Sequence, residues 1–100
     1  MIQVKPIQID NRTAIGITVD LPKTTLIAVA TDKGYIMCGA LDVALLNDRL
    51  KERQIVAGRA VGVRTLKDLL EAPLESVTDA AKQLGITPGT KGRDAVLKMM

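Results

Sequence analysis

Residues 13–21 alternate without interruption. Ile15, Ile17, Val19 and Leu21 fall on one side, and Ala14, Gly16, Thr18 and Asp20 on the other. A period of two over this length reads as a half-buried strand. The segments around it repeat the theme. Ile2 and Val4 alternate with Gln3 and Lys5, and the phase then slips near Pro6 before Ile7 and Ile9. A proline there suggests an edge strand or a bulge. Asp10-Asn11-Arg12 reads as a turn, and Leu21-Pro22-Lys23-Thr24 breaks the next strand. Residues 25–31 are apolar on both sides and β-branched, as expected of an interior strand. Asp32-Lys33-Gly34 is a hairpin signal, with Gly34 suited to the left-handed position of a three-residue loop, and residues 35–39 complete the hairpin.

The period changes after residue 40. Val43, Leu46 and Leu50, flanked by Leu45, form a helical stripe within residues 41–53. Residues 55–63 return to strand character, so strand, helix and strand make one parallel crossover, expected to be right-handed. Thr65-Leu66-Lys67-Asp68 resembles a capping box with Asp in place of Glu. Leu66, Leu69 and Leu70 line that helix, and Pro73 ends it. A second stripe of Leu74, Val77, Ala80, Ala81 and Leu84 predicts another helix, begun near Pro73 and stopped at Gly85. A short final helix is expected over residues 91–99. The resulting fold class is α+β: a mixed, mostly antiparallel sheet of about five strands with one parallel crossover, helices packed mainly on one face, and a helical C-terminal third. Residues 1–100 read as a single domain.

Composition narrows the chemistry. The chain has no His, Trp or Phe, one Tyr and one Cys. That excludes a Ser-His or Cys-His triad, a His-ligated zinc, an internal disulfide and a thiolate cluster. We expect no cofactor and no metal. A single aromatic gives no base-stacking platform, and the formal net charge is only +3, so neither a nucleic acid nor a membrane is the expected partner. The excess is uneven, however. Residues 51–100 carry nine Lys and Arg against six acids, whereas residues 1–50 are balanced at five of each. The first residues lack a signal peptide's apolar core, no window of the chain is apolar enough to span a bilayer, and a lone thiol fits a reducing compartment. The expected location is the cytoplasm.

Tyr35-Ile36-Met37-Cys38-Gly39-Ala40-Leu41-Asp42, with residues 55–65 and Asp68-Leu69-Leu70, resembles the YunC-like family of small bacterial and archaeal proteins. The likeness runs from Pro22-Lys23-Thr24 to Gly92-Arg93. It implies one complete domain. It carries no assigned reaction and no catalytic residues.

Five segments carry the candidate sites. Cys38 ends a strand just before a helix, where the positive end of the helix would favour a thiolate, and Gly39 would let a ligand approach the backbone. The structural alternative for Cys38 is a small buried core residue. Asp42 is either a helix cap or a general base beside Cys38. Gly58 and Gly62 share one side of a strand and so suggest close approach by a helix, another backbone or a ligand. Arg59 points away from Gly58 among apolar neighbours, and must sit at the sheet margin or pair with an acid or an anionic ligand. Arg64 precedes the Thr65 cap, and Arg93 together with Lys91 would add positive charge to a pocket rim. Lys23, in a turn, reads as a solvated lysine. Neither a dinucleotide fingerprint nor a P-loop is present.

Two functions follow. In the first, the chain is a homo-oligomeric module binding a small anionic ligand near Arg59 and Arg64, with Gly39 and Arg93 contributing. In the second it is a small enzyme with Cys38 as nucleophile or redox thiol and Asp42 as its base. Convergence of Cys38, Arg59 and Arg64 on one open pocket would favour the enzyme.

Overall fold

The computed structural model describes residues 2–39, 43–48 and 53–100. Its strands are β1 (Ile2–Ile9), β2 (Arg12–Leu21), β3 (Thr24–Ala30), β4 (Gly34–Met37), β5 (Val56–Arg59) and β6 (Ser76–Val77). Its helices are α1 (Val43–Asp48), α2 (Leu66–Glu71), α3 (Asp79–Gln83) and α4 (Gly92–Lys98). The strands form one sheet in chain order, β1 to β6. Every neighbouring pair is antiparallel except β4 and β5, which α1 connects in parallel. The class is therefore α+β with a mixed sheet of six strands, the sixth only two residues long.

The turns follow local chemistry. Asp10 and Asn11 both take positive φ, 49° and 69°, between the paired Ile9 and Arg12. Short polar side chains tolerate that conformation, and it gives the primed turn that matches strand twist. At the next hairpin Leu21 pairs with Thr24 across Pro22 and Lys23, and Lys23 has φ 63°. Proline followed by a positive-φ residue makes a type II turn, a position that glycine ordinarily fills.

Four sequence expectations change. The β1–β2 register runs unbroken from Ile2↔Val19 to Ile9↔Arg12, so Pro6 marks an edge strand without a bulge. The slip in phase instead moves the apolar residues across the sheet. Gly34 is not at positive φ; a Cβ there would collide with the Val56 carbonyl oxygen of the parallel neighbour. The fifth strand ends at Arg59, and Gly62 lies beyond it in a bend with φ 74° and open space around it. Gly58 alone serves the close approach, since a Cβ there would sit 2.6 Å from Leu74 Cδ1.

The fourth change concerns residues 73–78. The helical stripe predicted from Leu74 begins only at Asp79. Before it the backbone joins the sheet, with the Glu75 amide donating to the Arg59 carbonyl and the Thr78 amide to Ala57. Thr78 decides this. It is 2% exposed, caps α3 by accepting from the Ala81 amide, accepts from the Ala57 amide at 3.1 Å, and donates to the Ile55 carbonyl at 2.7 Å. One hydroxyl thus serves β5 and α3 together, and each such net bond is worth about 1 kcal/mol.

The main core lies on one face of the sheet. Paired residues share a face, so the registers place Ala14, Gly16, Ile27, Val29, Ile36, Gly58 and Val77 together. Against them pack Leu69 and Leu70 of α2, Leu74, Ala81, Ile86, and Ala95, Val96 and Met99 at the C-terminal end. The opposite face carries Ile2, Val4, Ile15, Ile17, Val19, Leu21 and Leu26. In β2 the buried side is therefore the small one, Ala14 and Gly16, and the branched side is open: Ile15 is 43% exposed and Leu21 44%.

Candidate functional site

The covered face changes character along β2. At Ala14 and Gly16 it is small and apolar; at Thr18 and Asp20 it is polar. Gly16 allows this junction. A Cβ at Gly16 would come within 2.5 Å of Ile7 Cδ1 and 2.9 Å of Leu66 Cδ1, so a larger residue would push these side-chain ends aside. Beyond that contact the helix layer stops and a concavity opens. Gln3, Lys5, Thr18, Asp20, Thr25 and the Arg64–Lys67 segment line it, with a volume of about 400 Å³.

A second concavity of about 400 Å³ adjoins it, lined by Lys23, Thr24, Thr25, Val63 and Arg64. Thr25 and Arg64 belong to both. Arg64 is positioned from behind. The Thr65 side chain accepts from the Asp68 amide at 3.0 Å, and the Asp68 carboxylate accepts from the Arg64 amide at 3.2 Å. This reciprocal cap fixes the backbone that presents the guanidinium. The lining of the pair carries Lys5, Lys23, Arg64 and Lys67 against the carboxylate of Asp20, together with threonine hydroxyls. Such a groove suits a small polyanion: cations supply charge, hydroxyls supply directional hydrogen bonds, and the volume is that of an ordinary ligand site.

The other candidates lie elsewhere. Arg59 donates through Nη1 to Glu75 Oε2 at 2.8 Å, and through Nε and Nη2 to the Gly39 carbonyl at 3.2 and 3.1 Å. It therefore meets Gly39, as sequence placed both at one site, but its charge faces a carboxylate. Arg93 sits 3.5 Å from Glu71, which Lys91 also approaches at 3.3 Å. The Lys91 hydrogen bond, followed by the charges of Lys91 and Arg93, holds the Glu71 carboxyl below its ordinary 4.5. Cys38 is 7% exposed within the core cluster, its amide bonded to the Ile27 carbonyl. Asp42 lies outside the described residues. Neither concavity that Arg64 lines includes Cys38, Arg59 or Arg93.

Lys5, Lys67, Thr18 and Thr25 escaped sequence reasoning, and Lys23 was read as merely solvated. The available signals were the polar end of the Ala14-Gly16-Thr18-Asp20 side and the lysine standing where a type II turn wants glycine. Among the described residues no three His, Cys, Asp or Glu side chains group as a metal site, and no helix is long and apolar enough to cross a membrane.

Comparison with known proteins agrees over the whole chain. Residues 37–99 match the family described as a domain of unknown function, DUF1805. The "uncharacterized protein YunC" of Bacillus subtilis (strain 168) is 65% identical over 100 residues, covering 100% of this chain and 99% of that protein. The crystal structure of TA1206 from Thermoplasma acidophilum, a protein of unknown function, superposes with a TM-score of 0.89 at 31% identity, covering 100% of this chain and 94% of that one. The β5 segment and the α2 cap that prompted the resemblance lie inside residues 37–99, and the chain belongs to the YunC-like DUF1805 family.

Proposed function

We propose that this YunC-like protein is a cytoplasmic homo-oligomeric module that binds a small anionic ligand, and that the ligand occupies the paired concavities at Arg64. The observation that carries this reading is that Arg64 lines both, with Lys5 and Lys67 on one side and Lys23 on the other. Arg59 and Arg93 stand outside both concavities. Each already faces a glutamate, so an anion would have to displace an existing ion pair. The enzymatic alternative gains nothing from the geometry. A thiol enclosed in a core is the environment of inert structural cysteines.

The test is a titration with inorganic phosphate and pyrophosphate, followed by amide chemical shifts at low salt. The amides of Thr18, Thr25 and residues 64–67 should move, and the affinity should fall as salt is added. Arg64→Ala should weaken binding about tenfold or more, by loss of a charge-assisted hydrogen bond. Arg59→Ala should leave it unchanged. Lys23→Gly is the sharper variant, because glycine suits the φ 63° turn and removes only the ammonium. Saturable shifts around Arg59 and Arg93 with none at Arg64 would refute this placement.

A further inference from the structure

We infer that the open face of the sheet, carrying Ile2, Val4, Ile15, Val19 and Leu21, packs face to face against the same surface of a second copy of this chain. This rests on the homo-oligomeric part of the reading above and names the surface responsible. Ile2 is 69% exposed, Val4 63%, Ile15 43% and Leu21 44%. The registers put all four on one face of β1 and β2. No position of β1–β4 on that face holds a charged residue; Lys5, Arg12 and Asp20 all stand on the other face. The sequence alternates as a half-buried strand, and the monomer buries the wrong half for that pattern. A partner on the branched side completes it.

The occupant follows from area and charge. Three strands spaced about 4.8 Å apart and about 30 Å long give a footprint of about 400 Å². With side chains standing off the plane, the accessible area reaches roughly 600–800 Å² per partner, the scale of a small stable dimer interface. A specific partner of another kind would be selected by complementary charge; the β1–β4 part of this face offers none, and Arg59, on the same face at β5, is already paired with Glu75. A copy of itself needs none: two identical twisted sheets stack about 10 Å apart at about −30°, related by a two-fold axis.

The experiment is sedimentation velocity on the full chain from about 1 to 100 µM, for the wild type and for Val4→Lys with Ile15→Lys. Both positions are exposed, so the double variant should keep its dispersed amide spectrum. The expected result is a wild-type dimer and a variant whose dissociation constant rises about a hundredfold or more. A wild type that stays monomeric at the top concentration overturns both this interface and the homo-oligomeric reading. An oligomer indifferent to the two lysines overturns the interface alone and leaves that reading standing. A monomer that floats with lipid vesicles assigns the face to a membrane and also overturns the proposal. Phosphate titration of the variant reports the Arg64 groove separately.

Discussion

On the face of the sheet that meets α2 and α4, Ala14 is 1% exposed and Val29 and Ile36 are fully buried; on the reverse of the same strands, Ile2, Val4, Ile15 and Leu21 are between 43% and 69% exposed. On the covered face, Gly16 lies against Ile7 and Leu66, and Gly58 against Leu74. In β2 the open side uses the larger, branched residues. Burial within one chain is therefore not ranked by side-chain size. It is set by which side the helices cover.

The contrast can be broken by substitution. Ile36→Ala should cost about 2–5 kcal/mol in urea denaturation, as expected for a cavity in a closed core, and the loss should be the same at every protein concentration. Ile15→Ala should cost less than about 0.5 kcal/mol in dilute solution, with the loss growing as concentration rises if a second copy covers that face. Equal losses for the two would show that the faces do not differ in kind. Next in size comes Thr78→Val, which keeps the shape and removes the hydroxyl shared by β5 and α3. A loss of about 1–3 kcal/mol is expected, since the Ala57 amide is left buried without its partner.

The smallest effect lies outside both faces, at Glu71. Its folded carboxyl titrates below the ordinary value because of Lys91 and then Arg93. A depressed carboxyl contributes stability above its unfolded pKa and loses it as pH falls through the folded one. Glu71→Gln should therefore be slightly less stable at neutral pH and should lose less on acidification, seen as a shallower acid limb in Tm against pH. The group is half-exposed, so the change is small.

How much of this was legible depended on whether the deciding partner was near in sequence. The Asp10-Asn11 turn, the Thr65 cap and the Gly85 stop rest on neighbours within a few residues, and each stands where periodicity put it. The sixth strand was missed because Leu74, Val77 and Ala81 fit a helical stripe, while the bonds that hold residues 75–78 extended come from Ala57 and Arg59. The same distance hid the groove. Arg64 was singled out, but Lys5, Lys23 and Thr25 reach it only through the sheet. For Arg59 the sequence leaves open the sheet margin, an acid or an anionic ligand, and the acid that meets it, Glu75, sits on a segment whose periodicity is helical. Alternation in β2 located the strand and its two sides, yet could not say which side the helices would choose.

Met99 gives the fold a consequence in time. It is fully buried, and its carbonyl accepts from the Thr31 hydroxyl at 3.2 Å, joining position 99 to the residue that follows β3. A chain emerging from the ribosome can close its hairpins early, because successive strands are neighbours. The last part of its cover, Ala95, Val96 and Met99, arrives after α2 and α3. Loss of the last turn would thus uncover the part of the core that Ala95, Val96 and Met99 close, leaving apolar surface open to capture by chaperones.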